Sequence, residues 1–141
     1  MSRRTAFFLA CRVRFYHLGQ AVHNFFRYYL RHPVFFAADL LVMAQYFFQS
    51  PFRMVRVVDE QHPGQPIGPY GETDFCTLSR LFDEFDIPRS ASVADLGSGR
   101  GRTGFFLRLV RGHKHVLGIE QLSSMVERAN RVRRWLRIDG L

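Results

Sequence analysis

Two carboxylates stand at the ends of short apolar runs, at a spacing that suits the binding of a nucleotide-like cofactor. Asp95 lies near the end of the run Ser92–Leu96, and Glu120 follows 25 residues later, after a second run. The loop after the first run has glycine at every second position: Gly97, Gly99 and Gly101. Because glycine has no Cβ, a ligand can approach such a backbone closely. In nucleotide-binding βαβ units, an acidic residue at the Glu120 position accepts hydrogen bonds from ribose hydroxyls.

The register of the glycines distinguishes two classes of cofactor. Gly99, Gly101 and Gly104 match a dinucleotide fingerprint, but Asp95 would then stand just ahead of the loop and repel a pyrophosphate. If the loop begins at Gly97 instead, Asp95 stands at the end of the strand. A ligand with an ammonium and a sulfonium but no phosphate tolerates that carboxylate. S-adenosylmethionine is such a ligand, and we favour it over a dinucleotide; a turn that merely joins strand to helix is the third alternative.

The elements that must position these residues follow from periodicity. Ser92–Leu96 predicts a buried parallel strand, and the run ending at Ile119 predicts its neighbour. Between them, residues 102–110 predict a helix whose apolar side chains pack on the sheet: Phe105, Phe106, Leu109 and Val110. Upstream, Thr73 is a candidate N-cap for a helix that ends before Pro88. Its predicted apolar stripe is Leu78, Leu81, Phe82 and Phe85.

Three motifs together resemble a known family. They are Tyr70-Gly71-Glu72-Thr73, Asp95-Leu96-Gly97-Ser98-Gly99 and Gly118-Ile119-Glu120. They resemble the cofactor half of class I S-adenosylmethionine-dependent methyltransferases. Within that superfamily the first turn is most similar to the non-SET histone-lysine methyltransferases and to uncharacterised bacterial methyltransferases that share it. The resemblance covers residues 70–134, about half of the chain.

The resemblance implies a role for each matching residue. Tyr70 and Thr73 would contact the methionine end of the cofactor, and Glu120 would bind its ribose. Asp95 and the Gly97 backbone would hold its amino acid portion, and Gly99 and Gly101 complete the cofactor-binding set. Arg102 stands where the histone enzymes have a glutamine that contacts the cofactor. The implied reaction is in-line methyl transfer to an acceptor such as a protein lysine, with no metal.

The resemblance also implies where the fold is incomplete. The family places its adenine-contacting and substrate-facing residues after the third and fourth strands, whereas this sequence ends just past the second helix. We therefore expect a Rossmann-like α/β fold, truncated after the second βα unit and preceded by a helical region. We expect the 141-residue chain to bind the cofactor weakly and to show no turnover. A chain that completes its sheet by dimerising is the alternative.

Residues 1–58 predict a helical region ahead of that unit. Apolar residues recur at spacings of three and four for about six turns: Phe8, Cys11, Phe15, Leu18, Val22, Phe25 and Tyr29. This seam packs on its own domain or a partner helix, or it lies in an anionic membrane surface. Pro33 begins a second helix, apolar nearly all round to Phe48, too short to span a bilayer and therefore predicted to be buried. Residues 52–58 are compatible with strand or helix.

The boundary between the two regions is predicted at a segment rich in proline and glycine. Residues 59–69 contain three prolines and two glycines, which is typical of a linker. Residues 70–141 then form the predicted S-adenosylmethionine-binding βαβα unit. Cys11 and Cys76 lie far apart and form no Cys-x-x-Cys pair, which favours a reduced, cytoplasmic protein, attached peripherally to a membrane if the first helix is interfacial. No metal site is predicted, and His113 and His115 are expected at the surface.

The chain is basic, with a formal net charge of +8. Residues 1–58 carry eight arginines against one carboxylate, Asp39. The last predicted helix, residues 123–136, starts at a serine cap and presents Arg128, Arg131 and Arg134 on its polar side. These arginines form a solvated face, or a patch for nucleic acid, chromatin or anionic lipid. The alternative function is therefore a non-catalytic basic protein that binds membrane or nucleic acid and retains a relic nucleotide fold.

Overall fold

A computed structural model describes residues 3–61 and 70–141, which form six helices and a two-stranded parallel sheet. The helices are α1 (Arg3–Asn24), α2 (Pro33–Ala44), α3 (Pro51–Gln61), α4 (Phe75–Glu84), α5 (Arg102–Phe106) and α6 (Ser123–Trp135). The strands are β1 (Ser92–Leu96) and β2 (His115–Ile119). Helices α1 and α5 each continue into a π-helical turn, Phe25–Tyr29 and Leu107–Arg111 respectively. The predicted α/β class is confirmed.

The strand, loop, helix and strand around Asp95 form where the sequence predicts them. Asp95 lies opposite Gly118 in the parallel register of β1 and β2. Gly97, Gly99 and Gly101 have φ angles of +77°, +53° and +78°, in the left-handed region that residues with a Cβ rarely adopt. The glycines therefore let the chain turn sharply from β1 into α5.

The strands are less buried than predicted. Leu96, Leu117 and Ile119 are 77%, 59% and 48% exposed, whereas Val116 on the opposite face is buried in the core. Successive side chains of a strand point to opposite faces, and the described helices cover only one face of this sheet. The prediction of a buried strand is therefore wrong for the outer face. At the edge of β2, the Val116 amide donates a hydrogen bond of 2.9 Å to the Gly140 carbonyl.

The N-terminal helix forms as predicted, and Tyr29 at the end of its apolar seam packs on the core, but other seam residues are exposed. Phe15, Leu18 and Val22 are 74%, 61% and 51% exposed. Tyr28, which lies off the predicted seam, is buried instead. No helix within the described residues combines the length and apolar character needed to cross a bilayer.

The second helix begins at Pro33 as predicted and buries only one of its faces. Phe35, Ala38 and Val42 are buried, so the prediction of a helix buried all round is wrong for the opposite face. Residues 52–58, which the sequence left open, lie in α3. This helix continues through Gln61 and so includes the first three residues of the predicted linker; residues 62–69 lie outside the described residues.

The helix caps differ from those predicted. Asp74, not Thr73, caps α4, and its carboxylate accepts a hydrogen bond of 2.9 Å from the Thr77 amide. Along α4, Leu78 and Phe82 are buried, while the other predicted stripe residues, Leu81 and Phe85, are exposed. At the start of α6, neither serine supplies a cap, because Leu122 occupies the N-cap position.

One aromatic core joins the N-terminal helices to the strand unit. Phe75 of α4 and Phe106 of α5 stack with ring centroids 4.9 Å apart. Phe35 of α2 lies edge-on to both rings, at 5.1 and 5.7 Å. His113 is also fully buried, against the Phe82 ring, and within residues 3–61 and 70–141 neither of its ring nitrogens has a hydrogen-bond partner. The prediction of a surface His113 is therefore wrong.

Candidate functional site

A cleft of about 200 Å³ opens at the carboxyl end of β1. Parallel strands end at the same edge of a sheet, so β1 and β2 deliver their terminal carboxylates to this edge. Four of the seven predicted site residues line the cleft: Thr73, Asp95, Gly97 and Gly99. Glu72 and Arg102 line it as well. The upstream turn and the glycine loop, distant in sequence, therefore face each other across one opening.

Asp95 has an unpartnered oxygen atom on the wall of this cleft. Its Oδ2 atom is buried and has no hydrogen-bond partner among the described residues. Burial, and then the nearby charge of Glu120, raises the pKa of the Asp95 carboxyl. A buried carboxylate oxygen without a donor is costly. A cationic ligand group such as an ammonium would supply both the donor and the opposite charge, so the site fits the methionine end of S-adenosylmethionine.

Glu120 is held in place by backbone amides. The Gly99 amide donates to its Oε2 at 2.8 Å, and the Leu122 amide donates to its Oε1 at 3.0 Å. Each carboxylate oxygen can accept a second hydrogen bond. The side chain is therefore fixed beside the glycine loop and keeps acceptor capacity for hydroxyl groups.

The other two predicted site residues lie beside the cleft. The Tyr70 ring covers Gly99 so closely that a Cβ built there would lie 3.1 Å from Tyr70 Cε2. The same ring packs edge-on against Phe52 at 5.0 Å. Gly101 faces α6, where an added Cβ would lie 3.0 Å from the Ala129 Cβ. The structure thus places Gly101 at a helix contact and Tyr70 over the loop.

A network of charges surrounds the Glu72 carboxylate. Arg100 donates to it twice, from Nε and Nη2, each at 2.6 Å, and Arg102 Nη1 donates at 2.8 Å. The Tyr70 hydroxyl also donates to Glu72. Burial by itself raises the pKa of Glu72, but the hydrogen bonds from Arg100 and Tyr70 and the two guanidinium charges outweigh it and lower the pKa to about 2. Glu72 is therefore ionised, and it ties the upstream turn to the loop.

Arg102 extends this network to the N-terminal helices. Its Nε donates to Asp39 Oδ1 at 2.5 Å, and its Nη2 donates to Asp39 Oδ2 at 2.9 Å. The Tyr29 hydroxyl donates to the same carboxylate at 2.5 Å. The guanidinium also lies over the Phe75 ring, 4.9 Å from its centroid. Burial and the Asp39 charge raise the pKa of Tyr29, so its hydroxyl keeps its proton and donates.

Sequence reasoning gave no role to Asp39 or Glu72. A signal was present for each: Asp39 is the only carboxylate in an apolar helix, and such a residue is almost never fully buried unless it is paired. Glu72 faces a loop with two arginines, Arg100 and Arg102. The charges indicated that partners exist, but the pattern along the chain did not say which partners they are.

Only part of the predicted basic face of α6 is exposed and available to a ligand. Arg128 donates to the Gln45 carbonyl at 2.9 Å and to Gln49 Oε1 at 2.5 Å, and its guanidinium lies over the Tyr46 ring. The prediction that Arg128 belongs to an exposed face is therefore wrong, whereas Arg131 and Arg134 are exposed. Within residues 3–61 and 70–141, no three histidine, cysteine or acidic side chains come together as metal ligands would.

A family model described as histone methylation protein DOT1 matches residues 66–138. No curated protein and no solved structure matches the chain. The matched residues include every residue that lines the cleft, together with Tyr70 and Glu120 beside it.

Proposed function

The chain belongs to the DOT1 family of histone methylation proteins, and on that premise we propose that it binds S-adenosylmethionine and transfers its methyl group to a protein lysine. The observation that supports the cofactor most directly is the buried, unpartnered Oδ2 of Asp95 in the cleft. A dinucleotide would bring phosphates towards this carboxylate, which electrostatic repulsion disfavours. The family description supports a protein acceptor.

The residues of the cleft supply binding and orientation. When bound, the cofactor supplies a methyl group on a positive sulfonium, a leaving group for in-line attack. The Asp95 charge pairs with an ammonium, while Glu120, fixed by the Gly99 and Leu122 amides, accepts from hydroxyls. The glycine loop keeps its backbone open to the ligand. This arrangement therefore supports a contribution to catalysis by alignment of the reacting groups.

The proposal is tested by titrating the full 141-residue chain with S-adenosylhomocysteine and following amide signals by nuclear magnetic resonance, which detects weak binding. We expect the Gly97 and Gly99 amide signals to shift. In Asp95→Asn the affinity should fall about tenfold to a hundredfold, since a hydrogen bond to a charged group contributes about 1.5–3 kcal/mol. Glu120→Gln should weaken binding in the same direction.

The matched control is Glu127→Gln, which removes a carboxylate from an exposed position on α6. It should leave the affinity unchanged. If the wild-type chain shows no saturable shift of the loop amides, or if all three variants bind equally well, the cofactor assignment is wrong. Radiolabelled methyl transfer to histone, with an assay for methyl-lysine, then tests the acceptor separately.

A further inference from the structure

A second surface, remote in sequence from the cofactor cleft, exposes apolar side chains along α1. Phe15, Leu18 and Val22 are 74%, 61% and 51% exposed. Their spacing of three and four places them on one face of the helix. Phe25, in the π-helical turn that follows, continues this row and is 41% exposed. An exposed apolar strip of this kind indicates an interaction site.

The exposed face of α2 adjoins this strip. Phe36 and Leu40 are 40% and 56% exposed. The rings of Phe25 and Phe36 are in contact, with centroids 6.5 Å apart and planes at 88°. The two helices thus present one continuous surface, here named the N-terminal apolar face: Phe15, Leu18, Val22, Phe25, Phe36 and Leu40.

The charge of this region has one sign at its surface. Residues 1–58 contain eight arginines and a single carboxylate, Asp39. Asp39 is only 3% exposed and is paired with Arg102, so it does not offset the surface charge. Arg12, Arg27 and Arg31 are exposed. Residues 1–58 therefore contribute only cations to the surface that carries the N-terminal apolar face.

We propose that the N-terminal apolar face binds an anionic lipid bilayer, with α1 and α2 lying in the headgroup region. Helices that combine exposed phenylalanine and leucine with arginine bind in this way, through burial of apolar area and attraction to anionic lipid. A second copy of the chain fits the surface less well, because self-association would bring two cationic regions together. Nucleic acid would satisfy the arginines but would leave the phenylalanines in water.

The contribution of charge to membrane binding is tested by co-sedimentation of the full chain with vesicles of phosphatidylglycerol and phosphatidylcholine. Vesicles of phosphatidylcholine alone serve for comparison. The variant Arg12→Gln/Arg27→Gln/Arg31→Gln should lose affinity for the anionic vesicles by about fivefold per arginine, or about a hundredfold in all. The matched control, Arg131→Gln/Arg134→Gln/Arg137→Gln, removes the same charge from exposed positions at the other end of the chain and should bind nearly as well as the wild type.

The apolar contribution is tested with Phe15→Ser and Leu18→Ser, each of which should weaken vesicle binding about tenfold. Phe85→Ser, at a residue 69% exposed beyond α4, is the matched control and should have no effect. Circular dichroism of each variant checks that its helix content is retained. The proposal is overturned if the wild type does not bind anionic vesicles, or if the control arginine variant loses as much affinity. A dimer in sedimentation equilibrium that Phe15→Ser dissociates would overturn it in favour of self-association.

Discussion

Replacing Asp39 by asparagine is expected to destabilise the protein by about 3 kcal/mol, because it leaves a largely buried guanidinium short of charge. Asp39 is 3% exposed and accepts two hydrogen bonds from Arg102, at 2.5 and 2.9 Å. Removing one partner of a buried ion pair costs about 3–5 kcal/mol. The lower end applies here, since the Arg102 side chain is 22% exposed and keeps Glu72 as a second carboxylate.

The assay is urea-induced unfolding of the full chain, followed by circular dichroism, in a double-mutant cycle with Arg102→Gln. Asp39→Asn leaves Arg102 with Glu72 as its carboxylate partner, and Arg102→Gln leaves the buried Asp39 without its cation, whereas the double variant removes both charges. We therefore expect the double variant to be more stable than the sum of the single effects predicts, by about 2 kcal/mol or more. Arg56→Gln is the control, because its ion pair with Glu60 is exposed and should contribute less than about 1 kcal/mol.

Additivity of the two substitutions to within about 0.5 kcal/mol is the behaviour of independent sites and would refute the coupling of Asp39 to Arg102. An Asp39→Asn variant no less stable than Arg56→Gln would also refute it. Either result would mean that Arg102 finds equivalent solvation without Asp39, so that the contact does not tie the N-terminal helices to the glycine loop.

Three further predictions concern the cleft and the core. Asp95→Asn should raise the stability of the cofactor-free chain, because burial and Glu120 raise the pKa of Asp95 and its ionised form is costly in the folded state. The gain in stability is complete above that raised pKa and is lost below the ordinary pKa of about 3.9. Melting temperatures of the variant and the wild type at pH 7 and below pH 4 test this. Gly99→Ala should lower the midpoint of urea unfolding more than Gly97→Ala does. Both positions have positive φ, but of the two only Gly99 would bring a Cβ against the Tyr70 ring. Equal midpoints for the two variants would contradict this. His113→Leu should leave the free energy of unfolding unchanged or raise it by about 1 kcal/mol, because both ring nitrogens are buried without partners among the described residues. A loss above about 2 kcal/mol would instead show that His113 makes a stabilising hydrogen bond.

The parts of the fold that the sequence predicted are those fixed by local spacing. The glycine loop, the strand ending near Asp95 and the second strand ending at Ile119 follow from short apolar runs and from residues that permit positive φ. The N-cap was misassigned by one residue, since Thr73 and Asp74 are both good caps and only the geometry selects Asp74.

Burial and ion pairing were the parts that local pattern could not provide. A run such as that around Leu96 has the same composition whether one face of its sheet is covered or both, so its exposure depends on elements elsewhere in the chain. Asp39 and Arg102 are 63 residues apart, and nothing in their neighbourhoods specifies that they meet. His113 likewise offers no sign in its flanking residues that it enters the core.

The place of Phe35 in the core bears on how this protein can be divided. Its ring is fully buried and packs edge-on against the stacked rings of Phe75 and Phe106, although it lies well upstream of the stretch that the family model matches. An excised polypeptide of residues 66–138 would leave a hole the size of a phenyl group, and deletion of a buried phenylalanine costs about 3–5 kcal/mol. The limits of the family match are therefore not the limits of a self-sufficient folding unit.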